Sequence, residues 1–263
     1  MKCLNCGTKC NGEYCPKCGQ KTSTHRFQVK ETISNTITSL IGGDNKLWAT
    51  CVGLLTRPGH MVREYLLGKR VCYYNPVSLL VCLVAIYAIA TYFFTDAVSP
   101  FDIMRPDVNM DSLNSSSATK FLTYYQLLLS NNVYFAIFTV LISIFPYRCV
   151  FRKEKLMRPI GEEEAMNVAE HFIALTYQTC FNILFAFFMI PLCVFDDYIT
   201  WVARICFFMP TVYCFILYKQ LLQITWRKSI WLNIFALMLS FLLNFTILVI
   251  VIGILYGIDN IIN

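Results

Sequence analysis

The sequence predicts an all-α polytopic membrane protein: a five-helix transmembrane bundle with a small cysteine-rich head at its N-terminus. Three observations predict it. The 263-residue chain is 57% hydrophobic and only 14% charged, whereas a soluble domain is roughly 45–50% apolar and about 25% charged. The apolar excess lies in long runs after residue 76, each able to cross a hydrocarbon core of about 30 Å. The first twenty residues carry two Cys-x-x-Cys-Gly units, Cys3 to Gly7 and Cys15 to Gly19.

The head covers residues 1–20. Four thiolates from Cys3, Cys6, Cys15 and Cys18 can close a tetrahedron around one Zn2+ at about 2.3 Å per bond, as in a zinc ribbon. Gly7 and Gly19 suit the turns, because glycine tolerates φ > 0. Structural zinc is favoured over mononuclear iron or a pair of disulfides. Cys10, a fifth thiol, stands outside the repeated pattern. So short a segment cannot fold on an apolar core, so metal binding would supply folding free energy on the order of 10 kcal/mol. A four-thiolate site leaves no open coordination position, so zinc catalysis is not expected. Lys2, Lys9, Lys17 and Lys21 make the head basic, but without a basic helix or interleaved aromatics nucleic acid is not the expected partner. No stretch here resembles a signal peptide, so the head is expected in the cytoplasm, where thiols stay reduced.

Residues 21–75 read as a linker with interfacial amphipathic and basic helices. Phe27, Val29, Ile33, Ile37 and Leu40 recur near helical spacing, and Gly42-Gly43 breaks the pattern. Leu47 to Leu55 is apolar but too short to span, which suits a surface or re-entrant helix. Thr56 then offers a cap, Pro58 suits a first turn and Gly68 a stop. The result is a short helix with Met61, Val62, Tyr65 and Leu66 as its apolar side. Tyr73 and Tyr74 fall where an aromatic belt would lie. Arg57, Arg63, Lys69 and Arg70 make either an anionic-ligand or lipid-phosphate site or a positive-inside anchor; the anchor is the simpler reading.

Residues 76–263 form the expected transmembrane domain. Its spans run from Val77 to about Thr95, Val133 to Val150, Glu170 to Phe195, Thr200 to Tyr218 and Ile230 to Tyr256. Of the 22 Lys and Arg, 19 fall on the side of the head. The other side holds Arg105, Lys120 and Arg204, with Asp96, Asp102, Asp107, Asp111, Asp196, Asp197 and Asp259. The positive-inside rule therefore places the head in the cytoplasm and the C-terminus outside. The loop Asp96 to Lys120 reads as partly disordered, Phe121 to Leu129 as interfacial, and Glu162-Glu163-Glu164 as the acidic opening of the third helix.

Ionisable and amide groups inside the spans are functional candidates. Glu170 and His171 stand at the mouth of the third span, and His171, Gln178 and Asn182 share one helical face. They suit a general base, proton relay or ligand site; packing at a helix end is favoured. Arg204 is expected to snorkel towards Asp196 or Asp197. Pro191 and Pro210 are expected to kink their helices, and Asn233 and Asn244 to join neighbouring ones. No Walker loop, G-x-S-x-G, H-E-x-x-H or dinucleotide fingerprint occurs, so an enzyme is the least favoured class.

The combined pattern resembles a bacterial inner-membrane family, domain of unknown function 3667. It rests on Cys3, Cys6, Gly7, Gly12, Cys15, Cys18, Gly19 and Gln20, then Thr56-x-Pro58-Gly59. Tyr65, Gly68, Arg70, Tyr73 and Pro76 follow, and then Glu170-His171. The resemblance implies a zinc-ribbon membrane protein without an established activity; Cys10 departs from the pattern. The span count also resembles Yip-type trafficking proteins, by architecture alone. The expected role is a non-enzymatic adaptor or assembly scaffold in the bacterial inner membrane, its head binding a cytoplasmic protein. A homo-oligomer is compatible with it. The alternative is a transporter or lipid-handling protein, binding an anionic ligand through Arg57, Arg63, Lys69, Arg70, Tyr73, Glu170 and His171.

Overall fold

The computed structural model describes residues 2–22, 45–93, 132–157, 163–191 and 196–262. The expectations for the linker helix through Leu40, the loop Asp96 to Lys120 and the segment Phe121 to Leu129 lie outside the described residues. The rest is mostly helical. The helices are α1 (Asn45–Thr56), α2 (Pro58–Leu66), α3 (Pro76–Phe93), α4 (Asn132–Val150), α5 (Val168–Met189), α6 (Asp196–Leu222) and α7 (Trp226–Ile262). After α4 comes a 3-10 turn, Phe151–Lys153, and then an antiparallel hairpin of β1 (Lys155–Met157) and β2 (Glu163–Ala165).

Among the described residues two helices, α5 and α7, are long and apolar enough to cross a membrane. They differ in burial. Of the apolar window of α5, 61% is buried, because α3, α4 and α6 all pack on it. In the window Trp226–Val251 of α7 only 11% is buried. Trp231, Phe235, Met238, Phe241 and Phe245 all face outwards. A soluble core helix would bury such residues. An exposed apolar surface of this extent is of the kind that meets lipid or another chain.

Several buried contacts converge at one end of the helices. There Tyr147 of α4 and Phe151 of the 3-10 turn after it meet Tyr218 near the end of α6, with ring centroids 5.1 and 4.5 Å away. Ser229, in the first turn of α7, donates to the Phe215 carbonyl at 2.8 Å. Tyr177 of α5 donates to the Tyr74 carbonyl at 2.6 Å, just before α3 begins. Lys228 pairs with the largely buried Glu154 at 2.8 Å. Gly59 of α2 bonds Gln220 of α6 here as well, so residues near Arg57, Arg152 and Lys219 lie in this part of the structure.

Several local expectations need correction. Thr56 does not cap α2: it closes α1, its hydroxyl donating to Val52 O at 2.7 Å, and Arg57 occupies the cap position without a side-chain bond. Glu163 and Glu164 do not open a helix. They pair across the hairpin with Met157 and Leu156, and α5 starts at Val168. Pro191 does not kink a helix interior: α5 ends at Met189, two residues earlier, because proline cannot donate to the i−4 carbonyl. Pro146 and Pro210 do lie inside α4 and α6. Asn233 bridges helices as expected, accepting from Cys214 of α6 at 3.0 Å. Asn244 bonds its own helix instead, at Ser240 O. Asp196 and Asp197, the expected partners of Arg204, have side chains outside the described ones.

Candidate metal centre

The head is built from one turn used twice. In the first unit Gly7 N donates to Cys3 O at 2.9 Å and Cys3 N to Thr8 O at 2.9 Å. In the second, twelve positions later, Gly19 N donates to Cys15 O at 2.9 Å and Cys15 N to Gln20 O at 2.8 Å. Each turn closes only in the left-handed region. Gly7 has φ +74° and Gly19 φ +69°, which glycine adopts without penalty. Bridges between Lys2 and Lys9 and between Tyr14 and Lys21 frame the two units.

The turns bring Cys3, Cys6, Cys15 and Cys18 together, with all four sulfurs within 4.8 Å of one another. Cys3 and Cys18 lie 3.5 Å apart, as do Cys6 and Cys15. Sulfurs at the corners of a tetrahedron with bonds of about 2.3 Å stand about 3.8 Å apart, so the four fit a single ion. Cys10 is buried but belongs to no such set; its thiol donates to Thr8 O at 3.3 Å. The thiols are driven apart in acidity. At Cys15 burial raises the pKa, but the backbone N–H groups of Cys18 and Lys17 outweigh it and bring it down to about 6. At Cys3 a backbone N–H from Cys6 lowers it, while burial and proton sharing with Cys18 raise it to about 11. A cation would bind all four as thiolates and displace the protons still held, that of Cys3 above all.

The head rests on the turn that follows α2. The Gln20 side chain is buried and reads that turn with both ends of its amide. Nε2 donates to Gly68 O at 2.7 Å, and Oε1 accepts from Arg70 N at 3.3 Å. Cys72 donates to Asn5 Oδ1 at 2.9 Å. Gly68, at φ +111°, allows the turn.

Beneath it, α2 buries Met61, Val62, Tyr65 and Leu66, the side that its periodicity marks. Gly59 sits against α6, its N–H donating to Gln220 Oε1 at 3.0 Å. Residues 44–88 match the model of a protein family of unknown function, DUF3667. The match spans α1, α2, the basic turn and most of α3, and it begins beyond the cysteine head. Neither the curated proteins nor the solved structures contain a match to the chain.

The basic residues are organised by an acid absent from the sequence-based candidates. Glu64 pairs with Lys69 at 3.2 Å and Arg57 at 3.5 Å, and accepts from the Tyr73 hydroxyl at 2.8 Å. Burial raises its pKa, but the bonds from Tyr73 and Lys69 and the Arg57 charge win and hold it below the usual value. Burial, then the Glu64 carboxylate, lifts the Tyr73 phenol to about 12. Arg63 and Arg70 are half-buried on the same helix and turn.

Glu170 and His171 are both buried at the start of α5. Glu170 completes a capping box: its carboxylate accepts from Asn167 N, and its own N–H donates to Asn167 Oδ1, each at 2.8 Å. That bonding explains Glu170 as a helix-end device. His171 Nδ1 is buried without a hydrogen-bond partner. Arg148 of α4 lies within electrostatic reach of it. Asn167 could have been found from the sequence, since Asn-x-x-Glu before an apolar run is a helix-start signature. Gln20 could not, because its partners lie 48 and 50 positions away.

Proposed function

We propose that the chain is an integral membrane protein of the bacterial inner membrane with five spans. A cytoplasmic four-cysteine zinc ribbon serves it as a non-enzymatic adaptor or assembly scaffold. The observation that carries this reading is the docking of the four-cysteine head on the basic turn, at the end of the bundle where the Lys- and Arg-bearing segments gather. Positive loops stay cytoplasmic, where thiols remain available for metal. The outward apolar face of α7 supports lipid contact along the bundle. Zinc suits four thiolates without open coordination, and such a site displays a surface rather than a reactive centre. The free faces of the head, with Tyr14 and the four lysines all exposed, are where a cytoplasmic protein would bind. Cross-linking and pulldown from cells test this. Replacing Cys15 and Cys18 by Ser should lose specific partners; recovery of the same partners contradicts the adaptor role.

A second reading, a transporter or lipid-handling protein, draws on the buried unpartnered Nδ1 of His171. It predicts an anionic lipid or metabolite that raises thermal stability, an effect lost in Arg70→Ala and His171→Ala. No stabilisation by any compound in a broad screen contradicts it. The pairing of Arg57 and Lys69 with Glu64 makes these cations less available and favours the adaptor.

A further inference from the structure

The contacts between head and basic turn come from inside the two cysteine units. Asn5 lies between Cys3 and Cys6 in the first. Gln20 follows Gly19 in the second, and its carbonyl accepts the Cys15 N–H that closes that turn. One residue therefore shapes the metal-binding turn with its backbone and grips Gly68 and Arg70 with its side chain. The gripped turn connects onward: Lys69 N donates to Glu64 O at 2.9 Å, and its ammonium pairs with the Glu64 carboxylate. A segment of about twenty residues has no apolar core to hold these turns once the metal is gone. The sulfurs, Cys10 included, are nearly all that the head buries besides Gln20.

We propose that head and turn form a metal-dependent clasp. With the four sulfurs gathered around an ion, Gln20 and Asn5 hold the Gly68–Cys72 turn; loss of the ion releases it. Metal occupancy is thereby communicated to the basic turn where the bundle begins. The clasp rests on the reading of the four cysteines as a metal site and adds a regulatory consequence to it.

Hydrogen exchange and Cys72 alkylation on the purified full chain, before and after metal stripping, test the clasp. Metal content is followed by mass spectrometry. Stripping should raise amide exchange in residues 67–73 about tenfold, the effect of losing one or two hydrogen bonds; the Cys72 thiol, already exposed, should gain a smaller rise in alkylation. The buried stretches of α2 and α5 should stay protected. Gln20→Ala should give the same local rise with its metal still bound, and Asn5→Ala should raise Cys72 alkylation alone. Unchanged exchange in residues 67–73 after verified metal loss overturns the clasp and leaves the metal site standing. Equal deprotection of α2 and α5 overturns it too, since the release would not be local. A protein that holds no metal and takes up none overturns both the clasp and the metal site.

Discussion

Gly59 of α2 and Gln220 of α6 are joined by a hydrogen bond of 3.0 Å, across a gap that leaves no room for a side chain. A Cβ built on Gly59 would fall 2.5 Å from Gln220 Cβ and 2.6 Å from Leu221 N, and against the Leu217 carbonyl. Backbone atoms cannot swing aside as a flexible side chain can, so the two helices would have to separate.

Gly59→Ala should therefore destabilise the protein by about 1–3 kcal/mol, the usual cost of overpacking, or more if α2 detaches. Thermal unfolding in detergent measures it. The preceding glycine, Gly53, faces Met61 Cγ at 2.9 Å, a flexible side chain, so Gly53→Ala should cost less.

Acid should loosen the basic turn before it loosens the bundle. The Glu64 carboxyl is held below its ordinary value of about 4.5. Its stabilising contribution is thus complete above that value and is lost as pH falls through the lower, folded value. The pairs with Lys69 and Arg57 are part-exposed, so solvent screening limits the effect to about 1 kcal/mol. Stability curves for wild type and Glu64→Gln should converge as pH falls from about 5 to about 3, through the carboxylate range. Parallel curves would show that the charge of Glu64 contributes nothing.

Asn167→Ala should remove one half of the capping box and leave Glu170 N, at the buried start of α5, without its partner. The expected loss is about 1 kcal/mol. Asn167→Asp, which keeps the accepting oxygen, should recover most of it. Chemical denaturation midpoints at constant slope distinguish the two.

Metal binding by the head should release protons and weaken on acidification. Cys3 is pushed up to about 11 and therefore carries a proton at neutral pH, which the ion must displace. Affinity should fall steeply between about pH 7 and about pH 5. Cys10→Ser should keep full metal stoichiometry, because that sulfur lies outside the set of four.

The sequence was readable where chemistry is local. The Cys-x-x-Cys-Gly spacing marked both the four sulfurs and the two left-handed glycines, and the 3.6-residue period marked the buried side of α2. It was silent where partners are distant, as in the grip of Gln20 on Gly68 or of Gln220 on Gly59. It misled at Glu163 and Glu164, where acidic residues beside a helix start suggested the helix itself. Pairing with Leu156 and Met157 overrode that local preference and put them in a strand. Glu64 was legible as a residue but not as a hub, because Lys69 and Tyr73 join Arg57 around it only after Gly68 reverses the chain.

With all four sulfurs within 4.8 Å of one another, the head should behave as a closed four-sulfur metal module. X-ray absorption at the metal edge of the purified full chain tests it most directly. The predicted spectrum is that of one zinc per chain with four sulfur neighbours at about 2.3 Å, lost when Cys15 and Cys18 are replaced by Ser. A shell containing oxygen or nitrogen, or a chain that carries no metal at all, would contradict it.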